Sequence, residues 1–206
     1  MRKASEVFGE WALAGKDIGM EKGHAASVQE MMDFALSERI GIGKKFRFLD
    51  FGCGNGWVAR MAKENSLCIK SVGIDGAQPM ISKAKSISKN VEYIHTDIAD
   101  YNPSFKFDLI HSMEVMYYLS DPRFLLNKIN EHWLKKDGRL IIGIDRYFEN
   151  KASHSWEEKV GTPMLMLTEK EWVSLFNDAS FRDIKFWRSH PSKDWAGTLV
   201  ITGKKA

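Results

Sequence analysis

Asp50, Asp75 and Asp97 stand 25 and 22 residues apart, each at the end of a strand-like run. Asp50 directly precedes a turn with glycines at 52, 54 and 56. A glycine turn that opens into a helix offers backbone N–H groups to an anion. The acid at its entrance repels a pyrophosphate, and Trp57 occupies the place where a dinucleotide fingerprint has its third glycine. The set therefore suits a ligand with positive charge near the turn and one small anion for the helix N-terminus. That ligand also needs vicinal hydroxyls for Asp75 and an exocyclic amine for Asp97. S-adenosylmethionine has each of these groups.

These acids must share one rim, and the surrounding pattern provides it. Strand signals cover 46–51, 69–75, 91–97, 107–112 and 138–145. Helical signals lie between them at about 56–65, 78–88 and 121–134, the last opened by Asp121 as N-cap and Pro122 at the first helical position. This alternation predicts an α/β fold with a parallel sheet covered on both faces. In such sheets ligands bind at the carboxyl ends of the strands, where the three aspartates fall. A capping box, Thr168 to Glu171, opens a further helix. The runs 183–188 and 197–203 are joined too closely for a crossover helix and should pair as an antiparallel hairpin. Residues 1–45 carry an amphipathic stripe of Phe8, Trp11, Ala12 and Gly15. A second helix follows, with a capping box from Ser27 to Glu30, inner residues Val28, Met31, Met32 and Ala35, and a stop at Gly41. Residues 146–167 form a long connection of the kind that usually has a function. The whole is expected to be a single domain over 1–206. Within it, 1–45 is an N-terminal helical lid segment, 46–206 the core, and 146–167 an acceptor-side loop.

LDFGCGNG at 49–56 resembles the first motif of class I S-adenosylmethionine-dependent methyltransferases, of the small-molecule, type 11-like kind. GIDGAQPMISKA (73–84) resembles their acidic second motif and HTDIAD (95–100) their adenine-binding turn. FDLIHSMEVMYYLSDP (107–122) and LKKDGRLIIGI (134–144) are similar to the later motifs, so the resemblance runs over about 46–203 in the right order. It implies a Rossmann-like, seven-stranded, mostly parallel sheet with helices on both faces and an antiparallel C-terminal hairpin strand. It implies S-adenosyl-L-methionine as cofactor and S-adenosyl-L-homocysteine as product. By the same resemblance, Gly52 and Gly54 let the backbone approach the methionine moiety and Asp50 serves its amino group. Asp75, with Gly76 beside it, takes the ribose hydroxyls. Asp97 takes the adenine amine, Ile98 contacts the ring and Met80 packs on it, while His111 and Ser112 border the site.

A sulfonium methyl is already activated, so the enzyme must align a nucleophile about 3 Å away and exclude water. A general base is required only if the nucleophile arrives protonated. Glu114 and Tyr118 are the catalytic candidates after the fourth strand. Tyr117 is a weaker one, Asp145 and Arg146 end the fifth strand in a position that favours function, and His24 and His154 are isolated histidines for which structural or surface roles are the plainer account. Phe8 and Trp11 suit either a lid or an ordinary core stripe. Trp156 suits a pocket wall or a loop anchor, and Cys53 a small filler.

SMEV at 112–115 stands where amino-methyltransferases acting on DNA carry an Asn/Asp-Pro-Pro-Tyr run. The net charge is only +3, and no basic stripe interleaved with aromatics is present. A small-molecule acceptor is therefore expected and nucleic acid is not. An RNA or protein methyltransferase and a non-catalytic S-adenosylmethionine-binding protein are the alternatives, with a nicotinamide oxidoreductase disfavoured by Asp50 and Trp57. Two cysteines without CxxC spacing, and no paired His/Cys set with zinc spacing, lead to the expectation of free thiols and no metal. No apolar run can span a bilayer and the N-terminal stretch lacks an apolar signal core, so a cytoplasmic protein is expected. The oligomeric state is left open.

Overall fold

The computed structural model describes residues 1–206. Its strands are β1 (Phe46–Phe51), β2 (Cys68–Asp75), β3 (Glu92–His95), β4 (Phe107–Met113), β5 (Leu134–Ile144), β6 (Phe181–Ser189) and β7 (Thr198–Lys205). They form one seven-stranded sheet in the order β3-β2-β1-β4-β5-β7-β6. The first five are parallel. β7 runs antiparallel to both β5 and β6, and the expected C-terminal hairpin is thereby present. The strand order reverses between β1 and β4, which opens a crevice at their carboxyl ends.

The period-2 alternation of β1 sorts its side chains between two cores. Phe46 and Phe48 point to one face, where they pack with α2 (Asp17–Gly41), α3 (Trp57–Glu64) and α4 (Gln78–Ile87) through Met31, Met32, Val58, Ala59 and Ile81. Leu49 and Phe51 point to the other, against Leu125 and Leu126 of α5 (Pro122–Lys128) and Trp172 and Phe176 of α7 (Glu169–Asp178). All of these side chains are buried, and full burial of each large one contributes about 1.5–3 kcal/mol. The connection 146–167 carries a 3₁₀ turn at Lys151–Ser153 and the short helix α6 (Trp156–Val160). At the other end of the chain, α1 (Ala4–Leu13) packs on α4.

Three local expectations differ from the structure. α2 is one continuous helix of 25 residues, and Ser27 to Glu30 is not a capping box. Ser27 instead accepts a hydrogen bond from the Thr198 hydroxyl at 3.0 Å, and Glu30 accepts from Trp187 Nε1 and from the Ser189 hydroxyl, each at 2.6 Å. Partners on β6 and β7 claim the side chains that a local cap would use. The helix expected over 121–134 ends at Lys128 and continues as a wide π turn over Ile129–Trp133. That turn aims Asn130 at the Ala179 carbonyl (2.6 Å) and buries Trp133 edge-on against Tyr101 and Phe51. β5 starts at Leu134 rather than 138, because Leu134 already pairs with Phe107 before an irregularity resets the register to Leu109–Arg139. Asp121 does cap α5, accepting from Phe124 N at 3.0 Å, and Thr168 caps α7 in a reciprocal box with Glu171.

Candidate active site

β1 ends in the glycine turn, and the turn's shape follows from what lies against it. Gly52 has φ +68°, and a Cβ there would stand 2.1 Å from Val115 Cγ2. Only glycine allows that close approach and conformation together. Beyond it the turn leads into α3, whose first N–H, that of Trp57, is bound by the Asn55 side chain at 3.2 Å. Asn55 also donates from Nδ2 to Asp17 Oδ2 (3.0 Å) and Glu21 Oε2 (3.1 Å), fastening α2 to the turn. Lys83 on α4 completes this tie, with Nζ 2.7 Å from Asp17 Oδ1. Burial of Asp17 works against its charge, but the bonds from Lys83 and Asn55 outweigh that and hold its carboxyl below the usual value. Sequence inspection passed over Asn55, although its position inside the turn, two residues before a helix start, is an Asx-type signal.

The three aspartates do share one rim. Asp50 is buried, and its Oδ1 lies 2.8 Å from Nδ1 of His111 on the neighbouring strand β4. Asp75 accepts Gly54 N–H at 2.9 Å and Ala77 N–H at 2.7 Å, one bond on each oxygen. Burial raises the Asp75 carboxyl; the two N–H bonds oppose this and the Asp50 charge adds to it, leaving it above its ordinary value. Asp97 is exposed and accepts Ala99 N–H on Oδ1 at 2.9 Å.

A single cavity of about 1110 Å³ runs over this rim and continues past β4. Asp50, Gly52, Gly54, Asp75, Gly76, Met80, Asp97, Ile98, His111, Glu114 and Tyr118 all line it. Ser112 does not: it is buried and donates to the Phe51 carbonyl at 2.9 Å, linking β4 to β1. His111 Nε2 is buried without a partner. A Cβ on Gly54 would meet only Met80 Sδ at 4.0 Å, so the turn borders open space beside Met80. Backbone N–H groups, unused carboxylate lone pairs, an apolar Met80–Ile98 surface and this volume fit the cofactor inferred from the aspartates.

At the far end of the cavity the fold gathers residues that the sequence left scattered. Glu114 follows β4 with a strained φ of +61°. Its Oε1 accepts Asp145 N–H at 2.5 Å and its Oε2 accepts the Tyr117 hydroxyl at 2.6 Å. His24 reaches down from α2 until Nδ1 lies 3.3 Å from Asp145 Oδ2. Burial first, then the Asp145 charge, pushes the Glu114 carboxyl up to about 8, against the opposing effect of His24 and Tyr117. Burial alone would lower His24, but contact with Asp145 and the charge of Glu114 raise it. The Tyr118 ring lies 4.4 Å from Tyr117 and 5.3 Å from Phe8 of α1 (ring centroids). Phe8 also lines the cavity; Trp11 does not and packs edge-on against Phe8.

The remaining candidates divide. Arg146 is buried and holds the 146–167 connection, donating to the Ser153 carbonyl at 2.7 Å and to Glu157 at 3.2 Å. His154 contacts the Phe148 carbonyl, and Trp156 stacks on Trp195; neither lines the cavity. Cys53 is buried at the cavity wall, and burial pushes its thiol well up, which leaves it a packing residue and a poor nucleophile.

Comparison with known proteins agrees with this geometry. A family model described as a methyltransferase domain matches residues 21–185. Trans-aconitate 2-methyltransferase of Azoarcus sp. (strain BH72) is 27% identical over 126 residues, covering 61% of this chain and 49% of that protein. The chain spans about half the length, or less, of the curated relatives it matches. Among solved structures, the Haloferax volcanii complex between the Trm112 methyltransferase activator and a methyltransferase superposes with a TM-score of 0.82 at 23% identity, covering 99% of this chain and 98% of that one. N-methyltransferase NodS from Bradyrhizobium japonicum WM9, in complex with S-adenosyl-L-homocysteine, gives 0.64 at 19% identity, covering 86% and 84%. No helix of the chain is long and apolar enough to cross a membrane. The chain belongs to the methyltransferase domain family, the class I methyltransferases whose cofactor is S-adenosylmethionine.

Proposed function

We propose that the protein transfers a methyl group to a small-molecule acceptor held at the far end of the cavity. One observation carries this reading. A continuous space of about 1110 Å³ joins the aspartate rim to Glu114, Tyr118 and His24, which is more than one ligand of ordinary size occupies. S-adenosylmethionine supplies the activated methyl group. In this reading Asp50 binds the amino group, held in place by His111, and the turn at Gly52 and Gly54 lets backbone meet the methionine moiety. Asp75 and Gly76 bind the ribose, Asp97 the adenine amine, and Ile98 and Met80 sandwich the ring. Ser112 acts at one remove, by fixing β4 against β1.

Glu114 and Tyr118 contact the acceptor and set its orientation for in-line attack, the main contribution such a site can make. The N-terminal segment serves as the roof that excludes water. Arg2 N–H donates to the Gly161 carbonyl at 3.1 Å and Phe8 lies against Tyr118, both at the acceptor end, while Ser5 lies beside Gly76 at the aspartate rim.

Incubation with methyl-labelled cofactor and a panel of small hydroxy-, carboxy- and amino-compounds tests the reading. Label should appear in a low-molecular-weight product. Label in RNA or protein alone would overturn the small-molecule assignment, and failure to bind S-adenosylhomocysteine in calorimetry would overturn the whole reading. The likeness over 99% of the chain to a methyltransferase in complex with the Trm112 activator favours a second point, that an activator protein binds this chain too. Co-elution with a Trm112-type protein on size exclusion checks it.

A further inference from the structure

We propose that His24, Glu114 and Asp145 form a binding site for a first-row divalent transition cation in the wall of the cavity. The three come from α2, from the loop after β4 and from the residue after β5. One donor atom from each lies within 4.8 Å of the others. His24 Nδ1 and Asp145 Oδ2 stand 3.3 Å apart. That is longer than the about 2.7–2.9 Å of a charge-assisted N–H···O bond. It matches the about 3.3–3.5 Å between neighbouring ligands in a tetrahedral site with metal–ligand distances of about 2.0–2.2 Å. Binding would draw Glu114 in to complete the set.

Two further features call for a cation. The Asp145 side chain is only 4% exposed, yet Oδ1 has no hydrogen-bond partner. Neither Asp145 nor Glu114 is paired with a lysine or arginine, so a buried carboxylate and a half-buried one face one imidazole. A buried carboxylate without compensation, as at Asp145, is costly. Glu114 is also oriented as a ligand needs to be: Tyr117 and the Asp145 N–H each hold one of its oxygens and leave a lone pair free on both. An imidazole among the donors selects against Mg²⁺ and Ca²⁺ and suits the manganese-to-zinc series. His24 and Glu114 line the cavity, so the coordination sphere keeps an open side. Resting on the methyltransferase reading above, that open side would take an acceptor bearing a hydroxyl or carboxylate oxygen.

The test uses the full chain, stripped with chelator and desalted, titrated calorimetrically with Co²⁺ and with Zn²⁺. One equivalent should bind, with Mg²⁺ failing to compete. His24→Gln and Asp145→Asn should each weaken binding at least about tenfold, in line with the effect of disturbing a metal's surroundings. His132→Gln, at an exposed position, should leave it unchanged. His24 lies on a helix surface and is partly exposed, so His24→Gln decides the matter should Asp145→Asn fail to fold. No stoichiometric Co²⁺ binding, or equal affinity in His24→Gln and the native chain, overturns the site. S-adenosylhomocysteine binding is measured on the same samples. Its absence would overturn the methyltransferase reading and leave the Co²⁺ titration to decide the cation site independently.

Discussion

Nδ1 of His111 lies 2.8 Å from Oδ1 of Asp50, and both side chains are almost wholly shielded from solvent. The two strands that meet at the reversal of strand order are thus joined by a side-chain contact as well as by their backbone ladder. Removing one partner of a buried hydrogen bond leaves the other unsatisfied, which costs about 1–3 kcal/mol. His111→Phe, which keeps the ring packed near Phe48, is expected to lower stability by about that amount in urea denaturation. It should also weaken S-adenosylhomocysteine binding in calorimetry, because Asp50 loses its anchor.

The glycine turn makes a sharper prediction. Gly52→Ala places a Cβ on Val115 at a left-handed backbone position. Overpacking of this kind costs about 1–3 kcal/mol, and the unfavourable φ adds to it. Thermal denaturation should show a clear loss for Gly52→Ala and partial recovery in the Gly52→Ala/Val115→Ala double variant. Equal stability of the two variants would show that Val115 is not what the turn packs against.

Asp75 is bound by two backbone N–H groups of the turn and of the α4 entry. Asp75→Ala should weaken S-adenosylhomocysteine binding by at least about tenfold, since it removes the proposed acceptor of the ribose hydroxyls and the link between the turn and α4. An unchanged dissociation constant would refute the ribose assignment.

The Asp17–Lys83 contact is expected to make stability pH-dependent at the acid end. The folded-state carboxyl of Asp17 lies below its unfolded value of about 3.9. Its contribution is therefore fully present above that unfolded value and lost as pH falls through the folded one. The stability difference between the native chain and Asp17→Asn should be constant from neutral pH to about pH 5 and shrink at lower pH, as followed by thermal melts. A difference that persists undiminished at the lowest pH would contradict the ionic role.

Thr168→Ala removes the hydroxyl that accepts Glu171 N–H at the start of α7. A loss of about 1 kcal/mol in urea denaturation is expected, with no change in S-adenosylhomocysteine binding.

Much of the candidate site's geometry was legible because its signals are local. The acid-then-glycine turn, Asp75 and Asp97 each sit at the end of their own strand, and the parallel alternation places those ends on one rim whatever the detailed packing. The Asp121 and Thr168 caps, and the C-terminal hairpin, were legible for the same reason: each is set by residues a few positions apart. Ser27 and Glu30 carried an equally clear local signal, and it misled, because Thr198, Trp187 and Ser189 approach from far along the chain and bind those side chains instead. The same long-range geometry brings His24, Glu114 and Asp145 together from three elements. Their separations along the chain follow no period of helix or strand, so no spacing rule reveals them. The sequence by itself determined the fold class and the rim on which the three aspartates meet, since both depend on short-range pattern. Only the tertiary structure decided what faces the other end of the cavity, since that depends on where a long helix lands on the sheet.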